Sequence, residues 1–241
     1  MTTEPKFVPN SAANIKLEDN LEVKIRLVDC VGYVINDAKG YKDEEEERMV
    51  KTPWFVDPIP FKEAAKIGTQ KVMQEHSTIG VVVTTDGSIV DIERKQYEDS
   101  EEEIIQELKV IGKPFIIILN SKDPDSENCQ VIKENLMNKY NVPVLTKSVE
   151  TMEIDDVTQI LKEALYEFPV ANINVSLPSW VAALDANHWL KSSLSISIEE
   201  AMQRARKIKD VDLIGKVLEE NEYVEEYNLT IVSTSDGENY V

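Results

Sequence analysis

The sequence predicts an α/β fold, a mostly parallel, doubly wound sheet followed by a smaller α+β region. Three observations carry this. Val- and Ile-rich runs recur at 78–85 and 113–120 without polar alternation, with a further short strand at 142–148, as in parallel strands buried on both faces. Helix-length amphipathic stretches follow at 98–111, 127–139 and 155–167, the alternation that builds a parallel sheet. After "EFPV" (167–170) the pattern changes, and two of the three tryptophans fall in the next stretch.

Taken in order, "ANIKL" and "LEVKIRLVD" flank the turn cluster "EDN" and predict a hairpin over 13–29. Residues 34–60 read as irregular, with Glu44–Glu47 as a solvated loop tip and prolines at 53, 58 and 60. Pro60 opens a helix running to His76, whose charge suits a helix C-terminus. Gly112–Lys113 followed by Pro114 reads as a helix-to-strand turn. "TTDG" (84–87) reads as a turn with Gly87 at positive φ, placed at a strand end where a nucleotide could touch it. "DPDSEN" (123–128) imitates a Ca²⁺ loop, but Pro124 and the lack of glycine at the sixth place favour a helix N-terminus rich in Asp and Ser. The expected division is a nucleotide-binding domain over 1–170 and a mostly helical second domain over 171–241, with a helix at 195–209, a further segment at 211–221 and one or two strands in the last twenty residues. Trp54, Trp180 and Trp189 read mostly as core anchors, with an interface hot spot as the alternative for one of them, and His188 as packed between the last two.

Composition narrows the function. Lys plus Arg number 26 against 45 Asp plus Glu, a net charge of −19. That argues against general nucleic-acid binding and against electrostatic attachment to an anionic membrane. Cys30, in the expected strand, reads as a small core residue. With Cys129 it suggests a reducing compartment rather than a disulfide framework. The start, "MTTEPKF", has no signal-peptide pattern, and no apolar run approaches the ~20 residues that span a bilayer. A cytosolic location is expected.

The chemistry centres on "IRLVDCVGY" (25–33), which carries D-x-x-G at Asp29 and Gly32. In nucleotide switches this Asp, at a strand end, reaches Mg²⁺ through water, and the glycine amide meets the terminal phosphate. "NSKD" (120–123) ends the second buried strand. It keeps Asn120 and Asp123 of the GTPase pattern Asn-Lys-x-Asp, with Ser121 where Lys belongs. Ser148 ends the next strand, where a loop would close over the base, and Thr2 or Thr3 stands where a switch threonine reaches Mg²⁺. Order and spacing agree with a GTPase-like, P-loop NTPase domain. Yet G-x-x-x-x-G-K-[ST] occurs nowhere in the sequence. The expectation is therefore a switch domain lacking its first strand and phosphate loop. Asp123 favours guanine, while the loss of Lys at Ser121 weakens base selection, so Asp123 is expected to be a loop residue with relaxed or no base contact, and ATP and GTP both stay open.

"MTTEPKFVPN", "IRLVDCVGY", "TPWFVDPIPFKEAAKIGTQKVMQEHSTIGVVVTTDGSI", "EALYEFPV" and "LPSWVAALDANHWL" resemble the stage IV sporulation protein A family, coat-morphogenesis ATPases of endospore-forming bacteria. The likeness covers about residues 1–215, and the C-terminal residues beyond match poorly. It implies ATP and Mg²⁺ as cofactors, and hydrolysis that drives self-assembly into the basement layer of the spore coat, on the mother-cell side of the forespore. By position it implies Asp29 as the Mg²⁺-associated acidic residue and Thr2 and Thr3 as sensor threonines, Thr3 at the metal. Implied partners are further copies, spore coat proteins and a small amphipathic membrane-associated peptide, reached through regions largely absent from this stretch. Without the phosphate loop, this chain alone is expected not to hydrolyse ATP. The alternatives are a non-catalytic scaffold with a vestigial nucleotide-binding fold, or a GTP-binding switch.

Overall fold

The computed structural model describes residues 11–18, 21–35, 42–43, 46–170, 173–228, 232–233 and 239–240. They fall into two compact units, one of the residues up to Ala13 with Lys24–Ala164, the other of Asn14–Val23 with the residues from Leu165 onward.

β1 (Ala13–Glu18) and β2 (Leu21–Ile25) form the expected hairpin, as a separate two-stranded sheet. The strand does not reach Asp29, because residues 26–35 are coil. The physical reason is pairing. β1 begins at Ala13, so beyond Ile25 the chain has no further partner among the described residues, and an extended segment without a ladder leaves its N–H and C=O groups to water. Cys30 therefore lies half-buried on coil rather than in a core strand. The stretch expected to be irregular contains two short ladders, β3 (Lys42–Asp43) with β4 (Glu46–Glu47) and β5 (Met49–Val50) with β6 (Ile59–Pro60).

α1 (Phe61–Lys71) continues into a π-helical turn, Val72–His76. Lys113 Nζ caps its end by donating to the carbonyls of Met73, Gln74 and Ser77, oxygens that a helix end leaves without intrahelical donors. Next come β7 (Gly80–Thr85), α2 (Lys95–Ile111), β8 (Phe115–Asn120), α3 (Glu127–Tyr140), β9 (Val144–Lys147) and α4 (Ile154–Tyr166). α2 stops at Gly112, whose φ of 76° is open to glycine. α3 starts at Ser126, whose hydroxyl accepts from Cys129 N.

The three strands form a parallel sheet in the order β7-β8-β9. On one face Val82, Phe115, Ile117, Leu119 and Val144 pack with Ile105 and Leu108 of α2 and with Cys129, Leu136 and Tyr140 of α3. On the other, Ile116 and Ile118 pack with Ile160 and Ala164 of α4. Both faces of β8 are thus dry, as its unbroken apolar run requires. β7 differs. Val81 and Val83 stand beside Ile116 and Ile118 in register, yet are 41% and 60% exposed. Among the described residues no strand pairs with the other edge of β7.

The second unit holds α5 (Ser179–Ala182), α6 (Trp189–Arg204), α7 (Val211–Glu219) and the short antiparallel pair β10 (Val232–Ser233) with β11 (Asn239–Tyr240). Its core gathers Ala201, Ala205, Ile214 and Val217. Backbone bonds from Val170 to Arg206 and from Ile208 to Phe168 tie its entry segment down. The buried Glu167 carboxylate beside them pairs with both Lys207 and Lys209. α6 begins six residues before the sequence suggests. Its Ser- and Ile-rich first turns are weak helix formers, and His188 is not a usual cap. The tryptophans also correct the expectation of core anchors. Trp180 and Trp189 are 60% and 59% exposed, and Trp54 is exposed too. His188 is not sandwiched. Its Nδ1 accepts from Leu190 N at 3.2 Å, and its ring meets Trp189.

Candidate functional site

Ligands in parallel α/β sheets bind at the carboxyl ends of the strands. The register fixes those ends here, since Thr85 pairs with Asn120 and Asn120 with Lys147. Asp86, Ser121 and Ser148 are therefore the first residues beyond three aligned strands.

Asn120 bridges two of them. Its Oδ1 accepts from Val149 N at 3.0 Å, holding the loop that follows Ser148. Ser121, 1% exposed, turns inward. Its hydroxyl donates to Asp86 Oδ2 at 2.6 Å and accepts from Asp123 N at 3.1 Å. The other oxygen of Asp86 accepts from Ser88 N and Ser88 Oγ, at 2.9 and 2.6 Å. Ser88 Oγ in turn accepts from Lys122 N at 3.0 Å. The loop 121–123 is thus stapled to the loop 86–88 through one carboxylate. Partial burial pushes the Asp86 carboxyl up, but the hydrogen bonds from Ser121 and Ser88 outweigh it and hold the group below its ordinary value.

Gly87, at φ 92°, makes the turn, and a Cβ there would lie 2.9 Å from Arg94 N. Arg94 closes the assembly from beneath. It donates to Thr84 Oγ1 at 3.1 Å and to the buried Glu101 at 2.8 Å. Asp123 itself is exposed, and its carboxylate makes no hydrogen bond among the described residues. That leaves it free for a ligand's N–H groups.

The D-x-x-G segment is built differently. Asp29 is exposed on coil and forms no ion pair among the described residues. Gly32, at φ 78°, donates its N–H to Thr69 Oγ1 of α1 at 3.0 Å. The Tyr33 hydroxyl donates to Glu107 of α2, and Ser100 Oγ donates to Val34 O at 3.4 Å. Burial, then the neighbouring Glu107 carboxylate, pushes the Tyr33 phenol up. No hydrogen bond among the described residues joins 26–35 to 120–123 or to Ser148. Thr2 and Thr3 lie outside the described residues.

The residues present fit a nucleotide base better than its phosphates. Asn120, Asp123 and Ser148 lie at or just beyond the carboxyl ends of β8 and β9, and the Asp123 carboxylate is exposed. Toward a Mg²⁺-bound triphosphate the chain offers one carboxylate and one glycine amide. The described residues hold no group of three or more His, Cys, Asp or Glu that could bind a metal. Sequence reasoning passed over Asp86, Ser88 and Thr69 as working parts. "TTDG" at a strand end signalled the first, and Ser88 is the residue that follows it. Thr69 gave no signal, being a mid-helix threonine far from Gly32 in sequence.

Comparison with known proteins gives a consistent answer. Residues 1–169 match the family model "Stage IV sporulation protein A, ATPase domain", and residues 170–241 match "Stage IV sporulation protein A, middle domain". Proteins named stage IV sporulation protein A are similar across the chain. The one from Bacillus subtilis (strain 168) is 52% identical and that from Bacillus anthracis 48%, each over 98% of this chain and 48% of the relative. That from Clostridioides difficile (strain 630) is 42% identical over the same shares. The likeness therefore runs through the C-terminal residues, which the quoted motifs alone left unmatched. The chain spans about half the length of these relatives. No solved structure matches it.

Proposed function

We infer that this chain, which belongs to the stage IV sporulation protein A family, is the base-reading part of an ATP-hydrolysing morphogenetic protein that assembles into the basement layer of the spore coat. The family supports a sporulation role and an ATPase domain. The observation that carries the local reading is the set of aligned strand ends presenting Asn120, Asp123 and Ser148 around the free Asp123 carboxylate. Asp29 and Gly32 are assigned to the Mg²⁺ and terminal phosphate, with Thr2 and Thr3 as the sensor threonines. A G-x-x-x-x-G-K-[ST] loop outside this stretch supplies the phosphate cradle. Its strand lies along the open edge of β7, widening the sheet to a doubly wound one and covering Val81 and Val83. Residues 1–170 form this domain and 171–241 the start of a second.

In this reading the chain by itself does not hydrolyse ATP, because positioning is nearly all that phosphoryl-transfer catalysis consists of. The protein acts in the mother-cell cytoplasm at the forespore surface. Its partners are copies of itself, coat proteins and a small amphipathic peptide, held largely by regions outside the chain. No helix among the described residues is long and apolar enough to cross a membrane. One observation favours a second reading, a GTP-binding switch: a free carboxylate at Asp123 matches the N–H pair of guanine. Titrating the native protein with fluorescent ATP and GTP in Mg²⁺, beside Asp123→Ala, decides between them. Tighter ATP supports the ATPase reading, tighter GTP lost in Asp123→Ala supports the switch, and binding of neither supports a scaffold.

A further inference from the structure

One N–H in this molecule has two claims on it. The Gly32 amide is the group that a D-x-x-G switch turns to the terminal phosphate. In this structure it donates to Thr69 Oγ1 at 3.0 Å. Thr69 is fully buried in α1, so the acceptor is held in place by the helix around it. The residues beside Gly32 are pinned as well. Tyr33 donates to Glu107, which is itself fixed by Gln70 Nε2 at 2.9 Å and by the Lys66 ion pair. Ser100 of α2 holds Val34 O. Contacts to α1 and α2 thus dock three consecutive residues, with no hydrogen bond among the described residues to the strand ends that carry Asn120 and Ser148.

We propose that Thr69 is a latch for the switch glycine, competing with a nucleotide's terminal phosphate for the Gly32 N–H, with the Tyr33–Glu107 bond as its second pin. The proposal rests on the assignment of Gly32 to that phosphate. A backbone amide has one proton, and a strong bond to it excludes a second of equal strength. Binding a nucleoside triphosphate then requires Gly32 to leave α1 and pull Tyr33 and Val34 with it. A diphosphate makes no such demand. The device would convert the presence of one phosphoryl group into movement of residues 32–34 over the α1–α2 surface.

Thr69→Val tests this, since it keeps shape and burial and removes the acceptor. Thr69→Ser, which restores a hydroxyl, is the control. In this chain, amide exchange at Gly32 should rise about tenfold in Thr69→Val and return toward the wild-type rate in Thr69→Ser, while exchange across β8 stays unchanged. Equal Gly32 exchange in all three overturns the latch. In the native protein, Mg²⁺-ATP should bind about three- to tenfold tighter to Thr69→Val, the range one net hydrogen bond sets, with Mg²⁺-ADP unchanged. A merely structural effect would shift both nucleotides, and that result overturns the competition. Should Gly32 exchange respond while ATP and ADP both fail to bind the native protein, the nucleotide assignment has failed, and the competition with it. Tyr33→Phe should move the ATP affinity in the same direction, by less.

Discussion

The two halves of the candidate site were read from motifs of equal length, and they fold to very different degrees of definition. The base side, Asn120 to Asp123 with Ser148, hangs on strands with neighbours. β8 pairs on both edges, its end is stapled through Asp86, and Arg94 closes it beneath. The D-x-x-G side, 26–35, pairs with no strand among the described residues, and its fixed points are side chains on two helices. A short motif specifies residue types. It specifies geometry only where the sheet around it supplies the register.

The comparison can be broken from the base side first. Arg94→Met leaves the Glu101 carboxylate buried without its partner, a change that typically costs about 3–5 kcal/mol. The expected result is a fall of that size in chemical denaturation of the unit containing the sheet. An unchanged midpoint would mean that the pair does not hold the β7 end.

Ser121→Ala removes the bond to Asp86 and frees the Asp123 amide, with an expected loss of about 1–3 kcal/mol. It also gives a pH signature. The folded Asp86 group lies below its ordinary 3.8, so its contribution to stability is complete above that value and is lost as pH falls through the lower, folded one. Ser121 and Ser88 cause the lowering. The stability gap between wild type and Ser121→Ala should therefore narrow as pH drops below 3.8, and a constant gap would contradict the staple.

The smallest effect belongs to the other side. Asp29→Ala should change stability by no more than about 0.5 kcal/mol, as an exposed residue without a partner does. A larger loss in thermal unfolding would show that residues 26–35 are held by Asp29 after all.

The same contrast explains what the sequence made legible. Unbroken Val/Ile runs located β7 and β8, and the Asp- and Ser-rich stretch ending at Ser126 located the start of α3, because burial on both faces and an N-cap are local statements about residue type. The Gly87 turn was legible for the same reason. The end of β2 was not, since "LEVKIRLVD" is apolar enough to continue but stops where its partner stops. Trp180 and Trp189 misled in the same way, as large aromatics normally read as core, while their exposure depends on what the fold places over them. Ser121 looked like a lost lysine, and only the structure showed it bonded to Asp86. The Thr69–Gly32 bond joins two distant positions that no local pattern relates.

The central proposal is that Asn120, Asp123 and Ser148 form a base side, while Asp29 and Gly32 do not by themselves make a working phosphate site. Phosphate release from Mg²⁺-ATP by the purified chain, run beside Asp29→Ala, tests it most directly. The account predicts no turnover in either sample. A measurable kcat that Asp29→Ala abolishes would contradict it, by showing that the residues present already complete a working phosphate site.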